Sequence, residues 1–178
     1  MLICQADIWV SSMSTLKQSP AKSALRVAME ARNVEAVVDA FAPDAVFHSP
    51  LTEKLVFKGR EQIAVLTSVI LEVFTDFHYT DELFDENGGL LISRARVDGI
   101  EIEMVDHIRL GADGKIEDFT VFMRPLPAAA AALRLIGAGL CRRKSLARAA
   151  LISALASPLA FMTRTGDGIG VRLIRSAL

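Results

Sequence analysis

Cysteine is scarce in this chain, which excludes a fold built on disulfides. The two present, Cys4 and Cys141, are far apart and neither belongs to a CxxC pair, so no disulfide framework, zinc knuckle or dithiol redox motif can be drawn. A reducing cytoplasm is the location that fits. Long hydrophobic runs are missing too: no uncharged stretch reaches the roughly 20 residues of a spanning helix, and the run Ala149 to Met162 is 14 residues with Pro158 inside it. The opening MLICQADIWVSSM carries Asp7 and no basic residue, which argues against a secretory signal and leaves Met13 as an alternative start to Met1. Residues 1–18 are therefore expected to be a leader outside the fold.

Motifs for bound groups are equally lacking. GDGIG at Gly166–Gly170 follows no strand, so it is not a dinucleotide fingerprint. His48, His78 and His107 fall on separate strand-like runs without HExxH spacing, and no phosphate loop or nucleophile elbow is present. The expectation is a site with no metal and no organic cofactor. Aromatic residues make up 6% of the chain, and the basic C-terminal part carries only Phe161; a nucleic-acid surface needs basic and aromatic side chains interleaved.

What is present is 178 residues, 52% of them hydrophobic and 23% charged, enough for one domain with its own core and an appendage. Charge divides the chain. Residues 1–123 carry 11 Lys and Arg against 20 Asp and Glu, a net of −9, whereas residues 124–178 carry nine against the single acid Asp167, a net of +8. The boundary is placed at residue 124, before Pro125, giving a domain over 19–124 and a basic, Ala- and Leu-rich extension over 125–178.

Hydrophobic spacing predicts a helix after Ser19-Pro20, a second over 34–41, short strands at 45–48 and 54–57, and an amphipathic helix from Gly59. The period then changes to two. Runs at 77–84, 90–97, 100–110 and 115–123 are joined by Asn87-Gly88-Gly89, Asp98-Gly99 and Gly111 to Gly114, which are hairpin turn sequences. Helices followed by an antiparallel meander is an α+β order. In the extension, helices are expected at 127–140, 144–156 and 168–177, divided by CRRK, Ser157-Pro158 and the Gly166–Gly170 turn. Its positive charge points to packing on the acidic domain or on a dimer mate, with a membrane-surface anchor and a loosely ordered tail as the alternatives.

The run 100–110 separates its faces: Ile100, Ile102, Met104, Asp106, Ile108 and Leu110 on one, Glu101, Glu103, Val105, His107 and Arg109 on the other. Asp106 is a lone carboxylate on an apolar face. Such a group is costly to ionise, so the explanations are a bulge or register change that turns it to solvent, a cap on a neighbouring backbone group, or a ligand pocket. Parity in the last strand puts Phe119, Val121 and Met123 on the same side as Asp106, which Met104 and Ile108 flank, either as walls of a pocket for a hydrophobic small molecule or as core residues filling a closed cone.

The passages LRVAMEARNVEAVVDAFAPDAVFHSP, FKGREQI and VDHIRLGADGKIEDFTVFM resemble the nuclear transport factor 2-like superfamily in its SnoaL-like and ketosteroid-isomerase-like branches, over roughly residues 20–124. The resemblance implies a cone of N-terminal helices packed on a curved antiparallel sheet, a homodimer through the convex sheet face, and cofactor-free acid–base chemistry of isomerase, cyclase or hydrolase type. It puts the isomerases' oxyanion aspartate on Asp106, their base aspartate on Ser49 and their helix tyrosine on Leu25, so two of the three functional positions are replaced. His48, at the end of the first strand, is the nearest alternative base and the expected partner of Asp106. A non-catalytic ligand carrier or interaction module is the alternative function.

Overall fold

The computed structural model describes residues 20–177; the leader and the choice between Met1 and Met13 lie outside the described residues. Leu25 and Ala28, one helical step apart, bury one face of α1 (Pro20–Glu30). The chain turns at Arg32, which has positive φ, and Asn33 caps α2 (Val34–Asp39) by accepting the Ala36 N–H at 3.1 Å. The Arg32 guanidinium donates to the carbonyls of Leu71 and Phe74 at the C-terminal end of α3 (Gly59–Val73), where a cation satisfies orphan carbonyls.

Six strands form one curved sheet: β1 (Phe41–His48), β2 (Val56–Lys58), β3 (Thr75–Phe84), β4 (Gly88–Val97), β5 (Ile100–Leu110) and β6 (Ile116–Arg124), in the order β2-β1-β6-β5-β4-β3. The meander β3 to β6 is antiparallel, as its turn sequences predict, and β1 joins β6 in parallel. β1 also starts four residues earlier than the expected strand, running through Pro43 and Asp44 with a register shift between Phe41 and Val46. Proline is tolerated at such an irregularity because no ladder bond is asked of its nitrogen. The sheet's inner face and the helices enclose the core, which includes Leu25, Phe41, Ile63, Leu66, Leu91, Ile102 and Ile108.

The extension departs from its expected form in two ways. The apolar core continues past residue 124 into α4 (Leu126–Arg142), where Ala128, Ala131 and Ala132 are buried in it and Leu135, Ile136 and Leu140 pack against it. Gly139 lets α4 approach α3 closely: a Cβ there would lie 2.6 Å from Cγ1 of Val69. The two helices expected at 144–156 and 168–177 are instead one, α5 (Leu146–Ser176), which runs unbroken through Pro158 and the Gly166–Gly170 segment. Proline removes one i→i−4 bond, and next to it the Ser157 hydroxyl donates to the Ser153 carbonyl at 2.6 Å. At 31 residues α5 is long and apolar enough by length and composition to cross a membrane, which corrects the expectation of a segment too short and too broken. Only Ala156 of this helix is buried, and Leu151, Leu155, Leu159 and Met162 are exposed.

Candidate ligand cavity

Alternation along β5 carries Asp106 to the inner face of the sheet without a bulge, since it pairs directly with Leu91 of β4 and Val121 of β6. It is 6% exposed and lines a cavity of about 120 Å³. The walls come from every layer of the fold: Leu25 and Met29 of α1, Leu66 and Ile70 of α3, Phe47, Phe77, Met104, Phe119, Val121 and Met123 of the sheet. α4 forms the roof with Leu133, Ile136, Gly137 and Leu140. The basic extension thus roofs the cone.

Within this apolar enclosure the carboxyl has one side-chain partner with a direct effect on it, the hydroxyl of Tyr79. Tyr79 is buried on β3, with its ring edge-on to Phe77 at 5.1 Å between centroids. An ion pair on α1 holds its backbone: Arg26 and Glu30 lie 3.4 Å apart, Glu30 accepts the Tyr79 N–H at 3.1 Å, and Arg26 donates to the Tyr79 carbonyl at 3.2 Å. Burial pushes the Asp106 carboxyl up to about 7, while the Tyr79 hydroxyl donating to the ionised form pulls the other way. The Tyr79 phenol is raised well above its usual range, first by burial and then by the negative charge of Asp106. Near neutral pH the pair therefore combines a carboxyl poised between its two forms with a phenol that stays protonated. Such a pair can donate hydrogen bonds to a ligand oxygen, and its carboxyl can give or take one proton.

Seven residues singled out from the sequence line this one cavity: Leu25, Ser49, Met104, Asp106, Phe119, Val121 and Met123. Ser49 sits at the rim, its hydroxyl accepting the Leu51 N–H at 3.3 Å. Two others fall elsewhere. Ile108 shares the face of Asp106 but is packed into the core and is not among the cavity's lining residues. His48 points to the outer side, 40% exposed, with Nε2 3.0 Å from Asp118, which Arg109 also approaches at 3.5 Å. Strand parity is the reason: Phe47 and Ser49 face inward, so His48 between them faces out and cannot serve Asp106. Tyr79 and Ser93 were missed by the sequence reading. Alternation in FHYT, with Phe77 and Tyr79 flanking His78, was the available signal for the tyrosine. Among the described residues no group of three or more His, Cys, Asp or Glu is gathered to hold a metal ion.

Comparison with known proteins adds the family. The model of the SnoaL-like domain matches residues 22–119, more than half of the chain. No curated protein matches. Among solved structures, a steroid delta-isomerase from Pseudomonas aeruginosa is 30% identical, with a TM-score of 0.61 over 73% of this chain and 95% of that one. An uncharacterised protein with a cystatin-like fold from Silicibacter pomeroyi DSS-3 is 22% identical, with a TM-score of 0.64 over 72% of this chain and 87% of that one. The epoxide hydrolase/cyclase-like enzyme SalBIII of salinomycin pyran-ring formation is 17% identical, with a TM-score of 0.50 over 58% of this chain and 88% of that one, a likeness of fold alone.

Proposed function

Because the chain belongs to the family of SnoaL-like domains, we propose that its cone binds a compact, mainly apolar carbonyl compound and acts on it by cofactor-free acid–base chemistry. The observation that carries this reading is a buried carboxyl, Asp106, paired with Tyr79 inside an apolar cavity. In the complex the Tyr79 hydroxyl donates to the ligand oxygen, and ionised Asp106 takes a proton from a neighbouring carbon and returns it to another. The relative from Pseudomonas aeruginosa is a steroid delta-isomerase, and isomerisation needs no more than such a proton shift. The cavity, roofed by α4, is about 120 Å³, small beside the roughly 300–1,000 Å³ of drug-sized pockets, which favours a compact ligand over a steroid. A homodimer through the outer face of the sheet, where Phe122 stands exposed, and a cytoplasmic location belong to the same proposal.

A second reading has its own observation. Ser49 and Leu25 occupy the positions of the isomerase base and helix tyrosine, and Asp106 is the one carboxyl among the cavity's lining residues, which favours a carrier without turnover. Incubating the protein with small enones, lactones and epoxides, followed by NMR of each mixture, separates the two. Conversion of at least one compound, slowed about 100-fold or more in Asp106→Asn, is the expected result. Binding without conversion favours the carrier, and no binding by any compound sinks both readings.

A further inference from the structure

Ser93 is fully buried on β4, and its hydroxyl has no hydrogen-bond partner among the described residues. It lines the same cavity as Asp106 and Tyr79. Its register is specific: Ser93 pairs with Tyr79 across β3 and β4 and with Met104 across β4 and β5, and Asp106 lies two residues beyond Met104 on the same inner face. Tyr79 thus reaches diagonally past Ser93 to meet Asp106. Ser93 is thus opposite Tyr79 and diagonal to Asp106, and with no hydrogen-bond partner among the described residues its hydroxyl stands beside the pair without joining it.

Nothing in packing requires a hydroxyl at this place. The other inward positions of β4 around it are Leu91, Ala95 and Val97, all buried and apolar. A buried hydroxyl without a partner is destabilising, whereas alanine would occupy nearly the same volume without that cost. The polar atom is useful only to something that enters the cavity. We propose that Ser93 is the specificity-determining residue of this site, binding a second oxygen of the ligand while the first rests on Asp106 and Tyr79. The ligand class is then a small ring carbonyl compound with a second oxygen a few bonds away, such as a hydroxy-ketone or a diketone. This inference rests on the ligand-cavity reading above.

Phenol, catechol and resorcinol are suitable probes, being benzene-sized rings that differ only in a second hydroxyl and its position. Calorimetric titration of the full chain should show one of the two diols binding about tenfold more tightly than phenol, the gain of one good hydrogen bond. In Ser93→Ala that difference should vanish while phenol affinity stays within about twofold. Free Ser93→Ala should melt at or above the wild-type temperature, because an unpartnered hydroxyl has been removed. Equal weakening of all three probes, diols no tighter than phenol in the wild type, or a melting temperature several degrees lower in the variant would each overturn the role of Ser93 alone. Failure of all three probes to bind the wild type would overturn the ligand-cavity reading and this inference together.

Discussion

Asp106 is held in an environment that favours its neutral form, and this couples folding to pH with a definite sign. The native state keeps a proton that the unfolded chain releases, because the carboxyl is raised from 3.8 to about 7 by burial. The stabilising contribution is therefore complete below pH 4, declines as pH rises through about 4 to 7, and is gone above that window. Its size, at about 1.4 kcal/mol per pKa unit, is roughly 4 kcal/mol. Asp106→Asn removes the dependence, so the unfolding free energy of the wild type minus that of the variant, measured in denaturant from pH 4 to pH 8, should fall across this interval. A flat difference would mean that Asp106 is ionised throughout. His48→Ala should leave phenol binding within about twofold of the wild type, since one hydrogen bond on the outer face is all that is lost; a loss of tenfold or more by calorimetry would return His48 to the site. The two residues show what sequence can and cannot reveal here. An isolated carboxylate in the alternation of Ile102, Met104 and Ile108 is visible without coordinates. Tyr79 is not, because its partner lies two strands away and only the pairing of β3 with β4 and β4 with β5 brings them together.

Among the elements, α4 has the most consequential placement. Its alanines sink into the core and Leu133, Ile136 and Leu140 roof the cavity, and this depends on close approach to α3 at Gly139. Gly139→Ala should raise helix propensity by about 1 kcal/mol yet lower overall stability by about 1–3 kcal/mol, because the new methyl meets buried Val69. Gly166→Ala in α5 meets nothing within 4 Å and should be neutral or stabilising. Chemical denaturation of both variants checks the contrast, and equal effects would mean that α4 is not packed as described. The start of α4 after Pro125 was legible from composition, but its role was not: charge marked the extension as separate, while its alanines, small and apolar, gave no sign of which surface they cover. The continuity of α5 was hidden by Pro158 and three glycines, each a helix breaker taken alone, in a segment otherwise rich in alanine and leucine.

At the scale of the whole molecule, charge and core are divided at different places. Net charge changes sign at residue 124, whereas the core extends through α4 and leaves α5 outside. A chain ending at residue 145 should unfold cooperatively within a few degrees of the full protein. One ending at residue 124 should lose several kcal/mol, a fall in melting temperature of about 10 °C or more, and should no longer retain phenol. Equal melting of the two truncations in calorimetry would place α4 outside the folding unit. Everything proposed for the cavity, from its ligand class to its chemistry, depends on a buried carboxyl whose ionisation is made costly inside this roofed cone. The most direct test is a carbon-13 NMR titration of the Asp106 carboxyl in the wild type and in Tyr79→Phe. The wild-type carboxyl should titrate at about 7, and loss of the Tyr79 donor should move it higher still; a wild-type value at or below about 4, the ordinary range for aspartate, would contradict the account.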